Sequence, residues 1–181
     1  CSQKLVAQCT PSGNQTSYGS GSWIGYVYNA INTSSPPTNA FTTTYRGYVT
    51  QPEIFDLDLG TGAIAGANLC GTYYDQFSVR FKMTKNFSAG SYSFIVGGDD
   101  GYRLSIDGGS TWLLTNWVDH GYATSTTTTP VYLSGNVNLV LEYYEQGGSS
   151  RVTFSYANCA NPSTAPDTIS GITSICSGSS T

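Results

Sequence analysis

The stretch Gly97–Gly109, GGDDGYRLSIDGG, places two adjacent carboxylates, Asp99 and Asp100, between glycines. An apolar run, Tyr92–Val96, precedes the carboxylates, and an alternating segment, Tyr102–Ile106, follows them. Short apolar runs bounded by Gly and Asp are typical of β-hairpins. The stretch therefore predicts a strand, an acidic turn and a second strand that forms a hairpin with the first.

The doubled aspartate is unusual for a turn. Two neighbouring negative charges repel each other, and an ordinary turn needs only one Asp or Asn. A hard cation offsets this repulsion and prefers oxygen ligands, which suggests calcium at Asp99 and Asp100. The alternative is a solvated acidic turn without a metal.

Period-two alternation continues on both sides of this turn, and no stretch has a convincing helical period. Many short strands with turns roughly every 8–12 residues are typical of an antiparallel β-sandwich or barrel. The predicted strands cover residues 22–28, 41–49, 55–59, 76–83, 91–96, 102–106, 111–114, 131–133, 137–144 and 151–156. Alternation also predicts buried side chains at Phe77, Val79, Phe81, Phe94, Val96, Leu104, Ile106, Leu139, Leu141 and Phe154.

Composition limits the classes of partner. The chain has 181 residues, of which 10% are charged, and a net charge of -4. Nucleic-acid binding relies on Lys and Arg, so this balance argues against DNA or RNA as a partner. A neutral sugar is compatible with it. No apolar run approaches the length of a membrane span, which argues against membrane insertion.

The five cysteines include no CxxC pair, which makes a zinc site unlikely on spacing grounds. In a chain poor in charge and rich in Thr and Tyr, they indicate secretion and disulfide bonds. Cys9 lies just before the first strand and Cys159 just after the last. Because the ends of a sandwich are often close together, we expect these two to pair. The remaining cysteines, whose pairing stays open, are Cys1, Cys70 and Cys176.

Composition also divides the chain. Residues 1–19 are polar and predict an N-terminal arm, and residues 20–158 carry the β-domain. Residues 159–168 have the composition of a linker. Residues 169–181 alternate like the first strand of a following immunoglobulin-like module, as in a longer modular surface protein.

The sequence offers candidate residues for two enzymatic chemistries. No GxSxG motif is present and His120 is the only histidine, which disfavours Ser-His hydrolysis. The aspartate pair with Glu142 or Glu145 is a conceivable glycosidase arrangement. Adjacent residues on a tight turn do not readily stand on opposite faces of a sugar, however. The residues therefore favour a non-enzymatic role.

Calcium is the better match for the polar residues. The turn at residues 146–150 offers a side-chain oxygen and several unpaired carbonyls, and vacant positions on the ion can take vicinal sugar hydroxyls. The aromatic rings of Tyr102 and Trp117 are candidates to stack on the sugar, with core or rim packing as the alternative for each. The candidate metal ligands are Asp99, Asp100, Gln146, Gly147, Gly148 and Ser149.

Residues 20–158 resemble the PA14 family. The matching pieces, in the family order, are GSWIGYVYN, FSVRFKM, SYSFIVGGDDGYRLSIDGG, NWVDHG, VYLSGNVNLVLEYYEQGG and RVTFSY. The resemblance implies an antiparallel two-sheet sandwich, often called a barrel. In lectin members, two aspartates joined by a cis peptide bind calcium, and calcium coordinates sugar hydroxyls. Asp99 and Asp100 match that pair, while Gln146 stands where yeast members carry Asn.

The resemblance implies a calcium-dependent lectin module of an extracellular adhesin that binds neutral glycans, with a cis Asp99–Asp100 peptide. Its other partners are expected to be neighbouring modules of the same surface protein or further copies of itself. One alternative is a structural or assembly module in which calcium only stiffens a loop. Another is an accessory domain of a glycoside hydrolase.

Overall fold

The computed structural model describes residues 9–160 and 175–176, and this part of the chain contains strands and no helix. The all-β prediction is therefore confirmed. The strands are β1 (Gly19–Ser20), β2 (Ser22–Asn29), β3 (Thr44–Pro52), β4 (Phe55–Gly60), β5 (Phe77–Asp99), β6 (Tyr102–Ser105), β7 (Leu114–Asn116), β8 (Ala123–Thr126), β9 (Val131–Glu145), β10 (Ser150–Ala160) and β11 (Ile175–Cys176).

The strands form one hydrogen-bonded sheet with the order β11-β10-β5-β9-β6-β7. Strands β1, β2 and β8 pair with β5, β3 pairs with β2, and β4 pairs with β10. All of these pairs are antiparallel except β1 with β5. Among the described residues the order does not close on itself, so the sheet is not a closed barrel.

The two ends of β5 belong to two halves of this sheet that pack face to face. Residues 77–82 pair with β2, whereas residues 91–99 pair with β10. The fully buried Trp23 on β2 lies edge-on to Phe154 of β10, with ring centroids 4.8 Å apart, and to Phe55 of β4 at 6.3 Å. Because β2 has no backbone pairing with β4 or β10, these ring contacts join the two halves through the core.

Alternation predicted the core well. All of the side chains expected to be buried are buried except Ile106, which is partly buried and packs against the core. Ile106 lies one residue beyond the end of β6, where the strand gives way to the turn that begins at Asp107.

Two predicted interruptions are continuous strand. Except for Gln76, residues 76–83 and 91–96 are parts of the single strand β5, and residues 131–133 and 137–144 are parts of β9. The two long strands pair with each other along most of their length, with a register shift between Phe87 and Gly90. A bulge of this kind absorbs extra residues without ending the ladder. This explains why the Ser- and Gly-containing stretch between residues 83 and 91 of β5 is not a turn.

The predicted hairpin at the acidic turn is wrong. Strand β6 pairs with β7 and β9, and β9 lies between β5 and β6 in the sheet. The last residues of β5 pair instead with β10, where Asp99 lies opposite Arg151. The acidic turn therefore carries the chain from one half of the sheet to the other.

The predicted Cys9–Cys159 disulfide is also wrong. Cys9 is bonded to Cys70, with the two Cα atoms 5.5 Å apart, and Cys159 is in a disulfide of its own. The hydroxyl of Tyr45 on β3 donates to the carbonyl of Ser12, which holds the arm against that strand. The N–H of Cys70 donates to Arg46 on the same strand. Both cysteines are therefore brought to β3, whereas Cys159 lies on β10.

The chain-end predictions fall largely outside the described residues. Strand β10 continues to Ala160, and the two residues of β11 pair with its end, with Cys176 opposite Cys159. Residues 1–8 of the predicted arm and the rest of the predicted linker and following module lie outside the described residues. Within the described part of the chain, no helix is long and apolar enough to cross a membrane.

Candidate metal site

Three carboxylates meet where β5 and β9 end. One oxygen atom from each of Asp99, Asp100 and Glu145 lies within 4.8 Å of the other two. The N–H of Tyr144 donates to the carbonyl of Gly101 at 2.9 Å, which ties the end of β9 to the acidic turn. The Asp99–Asp100 peptide is cis, as the resemblance implied. The structure thus adds Glu145 to the two aspartates expected from the sequence.

Asp100 is held by two segments. Its side chain is 6% exposed. The N–H of His120 donates to Oδ1 at 3.0 Å, and the N–H of Gln146 donates to Oδ2 at 2.9 Å. Burial raises the pKa of Asp100, although these two hydrogen bonds oppose the increase. Burial raises the pKa of Asp99 as well.

Glu145 is fully buried and only partly satisfied. The hydroxyl of Tyr143 lies 3.1 Å from Oε2, whereas Oε1 has no hydrogen-bond partner among the described residues. Burial, followed by the charge of Asp100, raises the pKa of Glu145 to about 8. A buried carboxylate oxygen without a donor is costly unless something else neutralises it.

The donor set fits a calcium ion. Calcium–oxygen distances are about 2.3–2.6 Å, so two oxygens on one ion lie at most about 5 Å apart. The spacing of the three carboxylate oxygens satisfies this limit. Oε1 of Glu145 supplies an oxygen that no donor in the described part of the chain occupies.

Tyr143 joins the two strand ends below this cluster. Its hydroxyl lies 2.5 Å from the carbonyl oxygen of Asp99 and 2.9 Å from the Ser150 hydroxyl, in addition to its contact with Glu145. Burial, followed by the charge of Glu145, raises the pKa of Tyr143 well above its usual value. Tyr143 is therefore a neutral hydroxyl that links the backbone of Asp99 to the carboxylate of Glu145.

The turn at residues 146–150 lies beside the aspartates, as the sequence predicted. Gln146 bonds Asp100 through its backbone, and its side-chain Nε2 donates to the carbonyls of Asn32 at 2.8 Å and Ser34 at 2.9 Å. The residues that follow, Gly147, Gly148 and Ser149, are exposed. The amide group of Gln146 thus holds a neighbouring loop, and its role as a metal ligand stays a prediction.

The two aromatic candidates have different positions. Tyr102 is fully buried and its hydroxyl bonds the Ser125 hydroxyl at 2.8 Å, so the prediction that it stacks on a ligand is wrong. Alternation places its ring on the core side of β6, together with Leu104. Trp117 is partly buried: its ring centroid lies 4.7 Å from that of Tyr144 and 6.1 Å from that of Phe41.

The position of Glu145 in the alternation of β9 was the sequence signal for its role. In Leu139–Glu145, the odd-numbered positions face the core, so Glu145 continues the series of Leu141 and Tyr143. A charged residue at such a position is unusual enough to mark a functional site. Glu142, the other candidate for a carboxylate pair, is instead bound by Arg80 and Arg103.

No family model and no curated protein matches this sequence. Solved structures do match. An anti-sigma factor domain-containing protein from Clostridium clariflavum is 20% identical over 84% of this chain and 47% of its own, with a TM-score of 0.59. A PA14 sugar-binding domain from an RTX adhesin is 16% identical over 77% of this chain and 91% of its own, with a TM-score of 0.56.

A further match is the epithelial adhesin 9 A domain from Candida glabrata, solved in complex with Galβ1-4GlcNAc. It is 12% identical over 82% of this chain and 85% of its own, with a TM-score of 0.56. The chain spans 43% and 47% of the two anti-sigma factor chains that it matches. The similarity to the two PA14 proteins covers most of the strands described above, and this chain therefore has the PA14 domain fold.

Proposed function

We propose that this domain is a calcium-dependent carbohydrate-binding module of an extracellular adhesin, without catalytic activity of its own. The observation that carries the proposal is the cluster of Asp99, Asp100 and Glu145, with one buried oxygen left without a donor. The sugar-binding adhesin domains among the matching structures support it. The Cys9–Cys70 disulfide is in keeping with an oxidising compartment.

In this proposal Asp99, Asp100 and Glu145 hold the ion. Calcium takes about six to eight oxygens, so three carboxylates leave positions for other donors. Backbone carbonyls of the exposed turn Gly147–Ser149 are the nearest candidates in sequence, because Gln146 anchors that turn to Asp100. Bound calcium supplies open positions at which two adjacent hydroxyls of a neutral sugar replace water.

The exposed residues of the loop after β7 supply an apolar rim. Val118 is 47% exposed and lies between Trp117 and Asp119. This loop is fixed near the cluster because the N–H of His120 bonds Asp100 and the N–H of Asp119 bonds the Ser35 hydroxyl at 2.9 Å. Each sugar contact is weak, with a Kd on the order of millimolar. Many copies on one surface then raise the avidity.

A glycan array in calcium and in EGTA tests the proposal. We expect neutral glycans to be retained only in calcium, and Asp99→Asn and Asp100→Asn to abolish the retention while the far-ultraviolet circular dichroism is unchanged. Asp58→Asn is the matched control, since Asp58 is exposed and lies 3.6 Å from its Arg151 partner. Glycan retention that survives EGTA and both site substitutions contradicts the proposal.

A structural role is the second candidate function, because the cluster joins separate segments of the chain. Asp100 accepts hydrogen bonds from the loop at His120 and from the turn at Gln146, so a cation there also stiffens two connections. In a structural or assembly module, calcium raises the melting temperature but no glycan binds. The accessory-domain alternative is tested by the content of the full reading frame.

A further inference from the structure

A pocket separate from the carboxylate cluster lies on the outer face of the sheet formed by β5, β9 and β6. Its volume is about 390 Å³ and it is lined by Arg80, Lys82, Arg103, Trp112 and Glu142, among others. The chain has only 7 Lys and Arg residues and a net charge of -4. Three cationic side chains at one pocket are therefore a strong local concentration of positive charge.

Glu142 neutralises only part of this charge. Its side chain is 2% exposed, and each of its oxygens is bound by one arginine. Oε1 lies 2.6 Å from both Nε and Nη2 of Arg80. Oε2 lies 2.6 Å from Nε and 2.5 Å from Nη2 of Arg103. Among the described residues, the Nη1 group of neither arginine has a partner. Both guanidinium groups thus keep donors for an external anion.

Aromatic rings fix the two guanidinium groups. The Cζ atom of Arg103 lies 4.1 Å from the ring centroid of Trp112 and 4.5 Å from that of Trp117. The Cζ atom of Arg80 lies 4.2 Å from the ring centroid of Phe41. These ring contacts, together with the shared Glu142, restrict the rotation of both arginine side chains. Donors that are already positioned lose less entropy when a ligand binds.

Lys82 adds a cation that has no carboxylate partner among the described residues. Its Nζ lies 3.3 Å from the carbonyl of Gln15 and 5.1 Å from the ring centroid of Tyr18. Burial, followed by the charge of Arg80, lowers the pKa of Lys82, as expected for a cation crowded by another. A bound anion relieves this crowding.

Part of the pocket is lined by bare backbone. Gly108 and Gly109 line the pocket in left-handed conformations, with φ of 75° and 97°. The N–H of Gly108 is fixed by the carbonyl of Asn138 at 2.9 Å. With no side chain at either glycine, the pocket keeps room for a ring-sized ligand beside Trp112.

We propose that this pocket binds an anionic saccharide unit, carboxylated or sulfated, without calcium. Guanidinium groups and an ammonium group match the oxygens of a carboxylate or sulfate. The part of Trp112 that lines the pocket offers an apolar surface to the C–H face of the sugar. The volume lies within the range of about 300–1,000 Å³ that is usual for small-ligand pockets.

This site is separate from the carboxylate cluster. Glu142 and Glu145 are three residues apart on β9, so their side chains point to opposite faces of the sheet. The inference therefore goes beyond the calcium-dependent function and does not depend on it.

The test is an NMR titration of the full chain in EGTA with glucuronate, glucose 6-sulfate, glucose and sodium sulfate. We expect the two anionic sugars to shift the Trp112 indole resonance with a Kd on the order of millimolar, and glucose to have no effect. Binding should weaken as salt is added, because charged contacts are screened.

Variants separate this site from its alternatives. Lys82→Gln should weaken binding of both anionic sugars at least tenfold, and Trp112→Ala should weaken them but leave sulfate binding unchanged. Lys85→Gln, which removes the same charge from a residue paired with Glu53, and Asp100→Asn in the calcium cluster should have no effect. Two results overturn the proposal: sulfate binding as tightly as glucose 6-sulfate, or Lys82→Gln binding like the unsubstituted chain.

Discussion

Glu145→Gln removes one buried carboxylate from the cluster and keeps the shape of the side chain. In calcium-free protein, burial followed by the Asp100 charge raises the pKa of Glu145 from 4.5 to about 8. For an acid whose pKa is raised by folding, the stabilisation is complete below the unfolded pKa and is lost as the pH rises through the folded pKa. Each pH unit is worth about 1.4 kcal/mol, so the loss at pH 7 is about 3 kcal/mol.

The stability advantage of the variant over the unsubstituted chain should therefore largely disappear in calcium. In EGTA at pH 7, Glu145→Gln should be more stable than the unsubstituted chain by up to about 3 kcal/mol, with a flatter stability profile between pH 5 and pH 8. In calcium at about 100 times its Kd, the unsubstituted chain should gain about 2.7 kcal/mol and the variant should gain little. Urea unfolding followed by tryptophan fluorescence, in EGTA and in calcium, measures both effects.

Glu142→Gln is the matched control, because it removes the same charge from the same strand. It leaves Arg80 and Arg103 without their buried partner, so it should destabilise the chain in both buffers. The reasoning is refuted if Glu145→Gln is less stable than the unsubstituted chain in EGTA at every pH. A full calcium response in that variant would refute it equally.

Three other predictions concern the calcium response and the framework of the fold. Adding EGTA to calcium-loaded protein should lower its melting temperature, and magnesium should not restore it, since magnesium requires a smaller octahedral site. Replacing Cys9 and Cys70 by Ser should lower the unfolding free energy by about 4 kcal/mol, because the bond closes a loop with a sequence separation of 61. Gly101→Ala places a Cβ 2.2 Å from the ring of Tyr144 and should lower the unfolding free energy by about 1–3 kcal/mol. The Cβ of Gly121→Ala meets no atom within 4 Å, so this variant should be nearly as stable as the unsubstituted chain. Thermal unfolding compares the two variants.

Local pattern was enough to predict which side chains form the core. The alternation in residues 77–83 identifies a face that is completely buried, because neighbouring residues in a strand always point to opposite sides. The same rule, applied to Tyr102, shows that its ring belongs with Leu104 in the core and not with a ligand. The doubled aspartate was visible in the sequence as a feature that an ordinary turn does not need.

Strand partners were not predictable in the same way. A pattern of strands and turns does not state which strand lies beside which, and the hairpin expected at Asp99–Asp100 failed because β9 enters between β5 and β6. The predicted Cys9–Cys159 bond failed for the same reason: Cys9 is bonded to Cys70, and the arm and the loop at Cys70 meet because both contact β3. Long-range pairing of this kind depends on the free energy of the whole sheet.

Two buried glutamates on one strand differ in how their charges are compensated. Glu142 and Glu145 are both almost completely buried on β9. The first is bound by two arginines, which is the usual way in which proteins compensate a buried charge. The second has no cationic partner among the described residues, faces two aspartates, and keeps one oxygen without a donor.

In the absence of a cationic side chain, a proton or a metal cation can neutralise Glu145. A proton does so at acidic and neutral pH, because burial and the Asp100 charge raise the pKa of Glu145 to about 8, but a proton leaves the aspartate charges uncompensated. A divalent cation compensates all three carboxylates together and uses the oxygen that has no donor. The core-facing position of Glu145 therefore supports the proposed calcium ion at the acidic turn more strongly than two surface aspartates alone would.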